Sequence, residues 1–169
     1  GKCMLCCKLP EIDDPDLKKP ALQWCSHCSP GKGCQIYDRR PQTCRDYFCL
    51  WITHPGFGPE WYPPKSKMML TQEAGGMRLA IHVDPGFPDA WRKQPYYAMI
   101  KQMAADQANS RRQLIVYTGK KATIVLPDKE VDFYDYASDD RFTTKWTTTA
   151  AGVEWSATVV RGKVARSAG

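Results

Sequence analysis

The chain has 169 residues, of which 43% are hydrophobic and 25% charged, with a formal net charge of +6. This is the composition of an ordinary soluble globular protein, and no apolar run approaches the roughly 18–20 residues that a membrane span needs. Residues 1–64 are nearly balanced, with eight Lys or Arg against seven Asp or Glu, and residues 65–169 carry sixteen against eleven. Tight basic pairs in that second part, among them Arg111-Arg112 and Lys120-Lys121, are few and scattered, so a nucleic-acid face, which needs clustered charge, is disfavoured. No segment reads as a signal peptide, and a cytoplasmic protein is expected.

The chain opens on its most informative stretch. All eight cysteines fall between Cys3 and Cys49: Cys3, Cys6, Cys7, Cys25, Cys28, Cys34, Cys44 and Cys49. Cys3-x-x-Cys6 and Cys25-x-x-Cys28 each let two sulfurs from one turn reach a single ion, and a tetrahedral site needs four such donors. Eighteen residues separate the two arms, a spacing typical of zinc ribbons. The simplest division gives Cys3, Cys6, Cys25 and Cys28 to one site and Cys7, Cys34, Cys44 and Cys49 to a second. The adjacent Cys6 and Cys7 could also serve two ions or bridge a shared cluster. A disulfide framework fits less well, because a chain this long needs no staples and the reducing cytosol keeps thiols free. A redox C-x-x-C pair would sit in a βαβ context, which is missing. Lys2, Lys8, Lys32, Arg39, Arg40 and Arg45 lie near enough in sequence to offset thiolate charge. Residues 30–33 (PGKG) read as a tight loop whose glycines let amides approach sulfur.

Arg40-Pro41 predicts a short helix with Pro41 at its first position. Cys44 and Cys49 would stand about 140° apart on an ideal helix, so they share a site only if that helix ends or bends between them. Arg45 could donate to a thiolate or pair with Asp46. Tyr47, Phe48 and Trp51 are expected in the core. His27 and His54 are expected outside the ligand set, and His82 on a solvent face.

The run of Cys34, Ile36, Tyr37, Arg40, Pro41, Cys44 and Arg45 within residues 34–48 resembles the signature of the CxxCxxCC family, a broad bacterial group described as a zinc- or iron-chelating domain. Cys6-Cys7 matches the double cysteine of that family, and the resemblance covers residues 2–52. It implies chelation of zinc or iron by the cysteines. The family pattern often has a further cysteine upstream of the first C-x-x-C, and the sequence has none before Cys3. Some relatives of the domain occur in flagellin lysine N-methylases, but no cofactor-binding motif for such an activity is present here.

Residues 53–65, rich in Pro, Gly and aromatics, predict a linker or packed loop. Residues 77–83 alternate, with Leu79, Ile81 and Val83 on one face, and predict a strand that ends at Asp84. Asp89 is placed to cap a helix over 90–107, with a stripe of Tyr96, Ile100, Met103 and Gln107 facing the core. Residues 114–118 and 122–126 flank Gly119 as a hairpin. The acidic segment 128–140 predicts a solvated loop, residues 152–160 a further strand, and the last residues a frayed end.

The fold class expected is α+β: an N-terminal cysteine-rich metal-binding module of little regular structure (1–64), packed on a small antiparallel sheet with one main helix (65–169), the two regions forming either two domains or one. The function expected is a zinc-binding protein, with iron or an iron–sulfur cluster as the alternative cofactor. All eight cysteines are the ligands, the metal's role is mainly structural, and a protein partner is anticipated. An iron–sulfur or metal-dependent modification enzyme is the second reading.

Overall fold

Apolar runs at strand spacing build the main sheet. The computed structural model describes residues 3–163, so Lys2 and the expected frayed end at 164–169 lie outside the described residues. Five strands are hydrogen-bonded in chain order: β5 (Met68–Glu73), β6 (Arg78–Val83), β7 (Gln113–Thr118), β8 (Lys121–Val125) and β9 (Glu130–Tyr134). Among the described residues there are four α-helices, and three of them have five residues or fewer. The class is α+β. No helix among these residues is long and apolar enough to cross a membrane.

The described chain divides into two compact units. The first runs to Thr71 and takes in Ile81–Trp91, and the second comprises Gln72–Ala80 and everything from Arg92 onward. In the second unit, β7 and β8 pair antiparallel with Thr118 opposite Lys121, which leaves a two-residue turn. Gly119 begins that turn at φ +60°, a left-handed conformation that suits glycine. Strand β9 pairs antiparallel with β8. The helix α4 (Tyr96–Asn109) lies against β7 and buries Ile100, Ala104 and Ala108 at helical spacing. Ile115, Ala122, Ile124, Leu126 and Phe142 form the core of this unit, with Tyr117, Val131, Phe133, Tyr136, Trp155, Ala157 and Val159 packed around it. A long antiparallel hairpin, β10 (Arg141–Thr149) with β11 (Gly152–Val160), completes the unit, and Trp146 stands opposite Trp155 in its register.

Several expectations shift. The main helix starts at Tyr96 rather than at residue 90, because Pro95 stands at its N-cap and the chain before it makes only a 3-10 turn at Ala90–Arg92. Proline supplies no N–H to an ongoing helix and restricts the residue before it. The acidic segment is half strand: Asp132 in β9 accepts from the Thr123 hydroxyl at 2.6 Å, and the buried Asp140 accepts from Arg161 at 3.0 Å.

Before β5 the first unit is built of very short pieces. These are β1 (Ile12–Asp14) with β2 (Leu17–Lys19), β3 (Cys28–Ser29) with β4 (Gly33–Cys34), and the helices α1 (Gln42–Asp46), α2 (Leu50–Thr53) and α3 (Pro63–Ser66). Residues 54–62 are a packed loop: Trp61 is buried and meets Phe57 edge-on at 5.6 Å, and Tyr62 meets Trp51 at 4.8 Å.

Ile124 has no exposed surface, so Ile124→Ala should cost about 2–5 kcal/mol of unfolding free energy. Val153→Ala, at a half-exposed position, should stay within about 0.5 kcal/mol. Urea unfolding of the two variants checks this, and equal losses would contradict the placement of the core.

Candidate functional site

The cysteines are delivered by those short pieces. Buried Leu5 anchors a 3-10 turn, Leu5–Cys7, that presents Cys6 and Cys7. The Cys25 amide donates to the Cys7 carbonyl at 2.8 Å and joins the second arm to the first. Within that arm the Cys28 amide donates to the Cys25 carbonyl at 3.0 Å, and the His27 amide points at Cys25 Sγ at 3.4 Å. Strand pairing sets Cys28 opposite Cys34, a relation that places two side chains on the same face of a ribbon. Gly31 (φ +82°) and Gly33 (φ +93°) make the turn between them.

Cys44 arrives from farther along the chain, on α1. Asp14, at the end of β1, accepts the Thr43 amide at 3.1 Å and the Thr43 hydroxyl at 2.8 Å, capping the first turn of α1. Its other oxygen accepts the Asp16 amide at 3.0 Å. These bonds, the Asp16 amide first, hold the Asp14 carboxyl below its usual pKa. The helix ends at Asp46 and Cys49 N-caps α2, so the break that Cys44 and Cys49 need is present. Pro41 stands just before α1 rather than in its first turn.

The result is one patch in which Cys25, Ile12 and Leu17 are buried and Cys7, Cys28 and Cys44 pack against them. Cys49 lies in a neighbouring cluster with Leu5, Leu9 and Met69, edged by Tyr47 and Trp51. Cys3 feels the charges of Cys6 and Cys49. A cleft of about 490 Å³ opens over the two clusters, lined by Cys3, Cys6, Cys7, Cys25, Cys34, Cys44 and Cys49, with Arg40 and Tyr37 at its polar side. Cys7, which the simplest sequence division gives to a second site, packs with the Cys25-x-x-Cys28 arm, and Cys6 also acts on Cys28 and Cys44.

Proximity shapes the acid–base character of the sulfurs. Cys7 keeps its proton and shares it with Cys6 and Cys28, which pushes its own pKa up. The hydrogen bond from Cys7, with Arg40 nearby, lowers Cys6 to about 7. Burial pushes Cys3, Cys28 and Cys44 up, and neighbouring sulfurs add to that effect. Thiols so crowded resist joint ionisation, since like charges at short range disfavour the charged form. A cation among them would reverse that balance.

The other expected cations are engaged elsewhere. Lys8 pairs with Asp84 at 2.6 Å, and Arg45 donates to the Arg40 carbonyl at 2.7 Å. Arg40 stacks on Tyr37 at 3.8 Å. Phe48 is exposed rather than in the core. His27 and His54 are exposed, and His82 Nε2 lies 3.0 Å from the Thr71 hydroxyl in the sheet. Among the described residues, no three of the Cys, His, Asp and Glu side chains stand ready-arranged to hold a metal ion. Asp14 was not singled out in the sequence, because its partner Thr43 lies 29 residues away and no local pattern joins them.

No family model matches the chain, and neither curated proteins nor solved structures give a match.

Asp14→Ala should speed hydrogen exchange at the Thr43 amide and loosen α1. Because the folded pKa of Asp14 is depressed, its stabilisation is present above the ordinary carboxylate range and is lost as pH falls through the lower folded value. Exchange at Thr43 that does not respond to the substitution at neutral pH would refute the cap.

Proposed function

We propose that the N-terminal part of the chain is a metal-binding module in which cysteine thiolates hold zinc, with iron as the alternative, in a mainly structural role. One observation carries this reading: Cys7, Cys25, Cys28 and Cys44, from three separate segments, pack into one patch. The chemistry of the donor set fits. Thiolate is the preferred ligand of structural zinc, and the amide directed at Cys25 Sγ is the kind of outer contact that orients a ligand. Cys7, Cys25, Cys28 and Cys44 would hold one ion, with Cys34 beside Cys28. Cys3, Cys6 and Cys49 would serve a second ion or a shared cluster. A bound cation supplies the positive charge that lets crowded thiols ionise together. Closing such a site requires the side chains to adjust, and metal binding is then coupled to the folding of these short elements.

The resemblance of residues 34–48 to the CxxCxxCC signature supports the same reading and leaves the choice between zinc and iron open. A structural metal leaves the surface available to a protein partner, the anticipated role of the rest of the chain. The second reading, an iron–sulfur modification enzyme, draws on the cleft of about 490 Å³, which is wider than single ions require.

Elemental analysis of anaerobically purified protein tests both. A colourless protein with zinc supports the first reading, and a brown, oxygen-sensitive one with visible absorption supports the second. Absence of metal defeats both. Complete removal of a structural ion should unfold residues 3–52, since thiolate zinc sites contribute on the order of 10–16 kcal/mol. An unchanged circular dichroism spectrum after full chelation would refute the structural role. Cys25→Ser and Cys44→Ser should each lower metal content, and unaltered content in both would remove them from the ligand set.

A further inference from the structure

Strand β2 carries Leu17, Lys18 and Lys19, and alternation turns Leu17 and Lys19 inward while Lys18 stays exposed. Lys19 is thereby buried, with 4% of its surface accessible. Its ammonium finds no carboxylate among its hydrogen-bond acceptors. Instead Nζ donates to four backbone carbonyls: Lys8 at 3.2 Å, Pro10 at 2.5 Å, Pro20 at 2.8 Å and Gln23 at 3.0 Å. An ammonium has three N–H donors, so at least one is shared. The four acceptors fall into two pairs. Lys8 and Pro10 follow Cys7 directly, and Pro20 and Gln23 lead directly into Cys25. The backbone bonds from Leu22 to Leu9 and from Cys25 to Cys7 lie between the same two segments.

We infer that Lys19 is a positioning residue for the thiolate site: its ammonium clamps the segments that carry Cys7 and Cys25 together and sets a positive charge beside Cys7, Cys25 and Cys44. The inference rests on the metal-binding reading. Burial pushes the Lys19 pKa down, and the nearby sulfurs of Cys25, Cys7 and Cys44, with the Glu11 carboxylate, offset only part of that. A neutral side chain of similar length would fill the space but leave four carbonyls without their shared donor, and would remove the compensating charge. Unlike an arginine on the surface of the cleft, this cation is fixed from four directions and cannot swing away.

The test compares zinc affinity of the full-length protein, by competition with a chromophoric chelator, across Lys19→Met, Lys19→Arg and Lys32→Met. Lys32 is an exposed cation in the turn between Cys28 and Cys34 and serves as the charge control. Lys19→Met should weaken zinc binding by about 10–100-fold, the range seen when an outer contact of a metal ligand is lost. Lys19→Arg, which keeps charge and donors, should recover part of that loss, and Lys32→Met should change affinity by less than about threefold, as expected for an exposed, screened charge. Equal affinity in Lys19→Met and the wild type, or an equal loss in Lys32→Met, would overturn the inference. If Lys19→Met is unfolded as purified, circular dichroism at saturating zinc decides. Recovery supports a defect in bringing the arms together, and failure to recover in both Lys19 variants shows a general folding role and overturns it. A wild-type protein that takes up no zinc or iron would instead defeat the metal reading itself.

Discussion

A buried ammonium must be surrounded by acceptors, and in this chain the acceptors surrounding Lys19 are the carbonyls of two segments that are otherwise joined by the backbone bonds from Leu22 to Leu9 and from Cys25 to Cys7. That requirement brings residues 8–10 and 20–23 together, and Cys7 and Cys25 come with them. The neighbouring constraint is of the same kind: Asp14 needs donors, takes them from Thr43 and Asp16, and so fixes the helix that presents Cys44. Side-chain bonds to backbone groups thus do in this unit what long strands and helices do elsewhere. Before β5 its strands have two or three residues and its helices four or five, far too few for cooperative backbone bonding to hold them by itself.

The second unit rests on a different balance. Ile115, Ala122 and Ile124 are wholly buried and lie on paired strands. At about 25 cal/mol per Å² of apolar surface, burial of this kind dominates stability. Among the described residues the sulfur patch has Ile12 and Leu17 as its fully apolar buried members, so a cation among the thiols would be a further source of stability for that patch. The proposed metal and the observed side-chain clamps are complementary in that sense: the clamps bring the sulfurs near, and an ion would make their ionised state favourable.

The five-stranded sheet and α4 were legible in sequence wherever one face of an element is polar. The β7–β8 turn could be read from Gly119, and β6 from the spacing of Leu79, Ile81 and Val83. Strand β5 was not found because Met68, Met69, Leu70 and Thr71 are all buried, so they show no alternation. The start of α4 was misplaced because Asp89 looks like a cap while Pro95 sets the boundary. Strand β9 was hidden by its acidic residues: Asp132 meets Thr123 and Lys121 on the adjacent strand, and Glu130 meets Arg92 and Tyr97. In the first unit, residue spacing picked out the cysteines and left open whether the helix breaks between Cys44 and Cys49, which it does. It did not give the grouping. That depends on the Cys25–Cys7 backbone bond and on Lys19 and Asp14, whose partners are distant in sequence or are carbonyls, which carry no sequence signal.

The central claim, that clustered thiolates hold a metal ion, is tested most directly by X-ray absorption at the edge of whichever of zinc or iron the purified full-length chain carries. The account predicts a first shell of sulfur, at about 2.3 Å for zinc, with no histidine scattering. A shell of nitrogen and oxygen would contradict it.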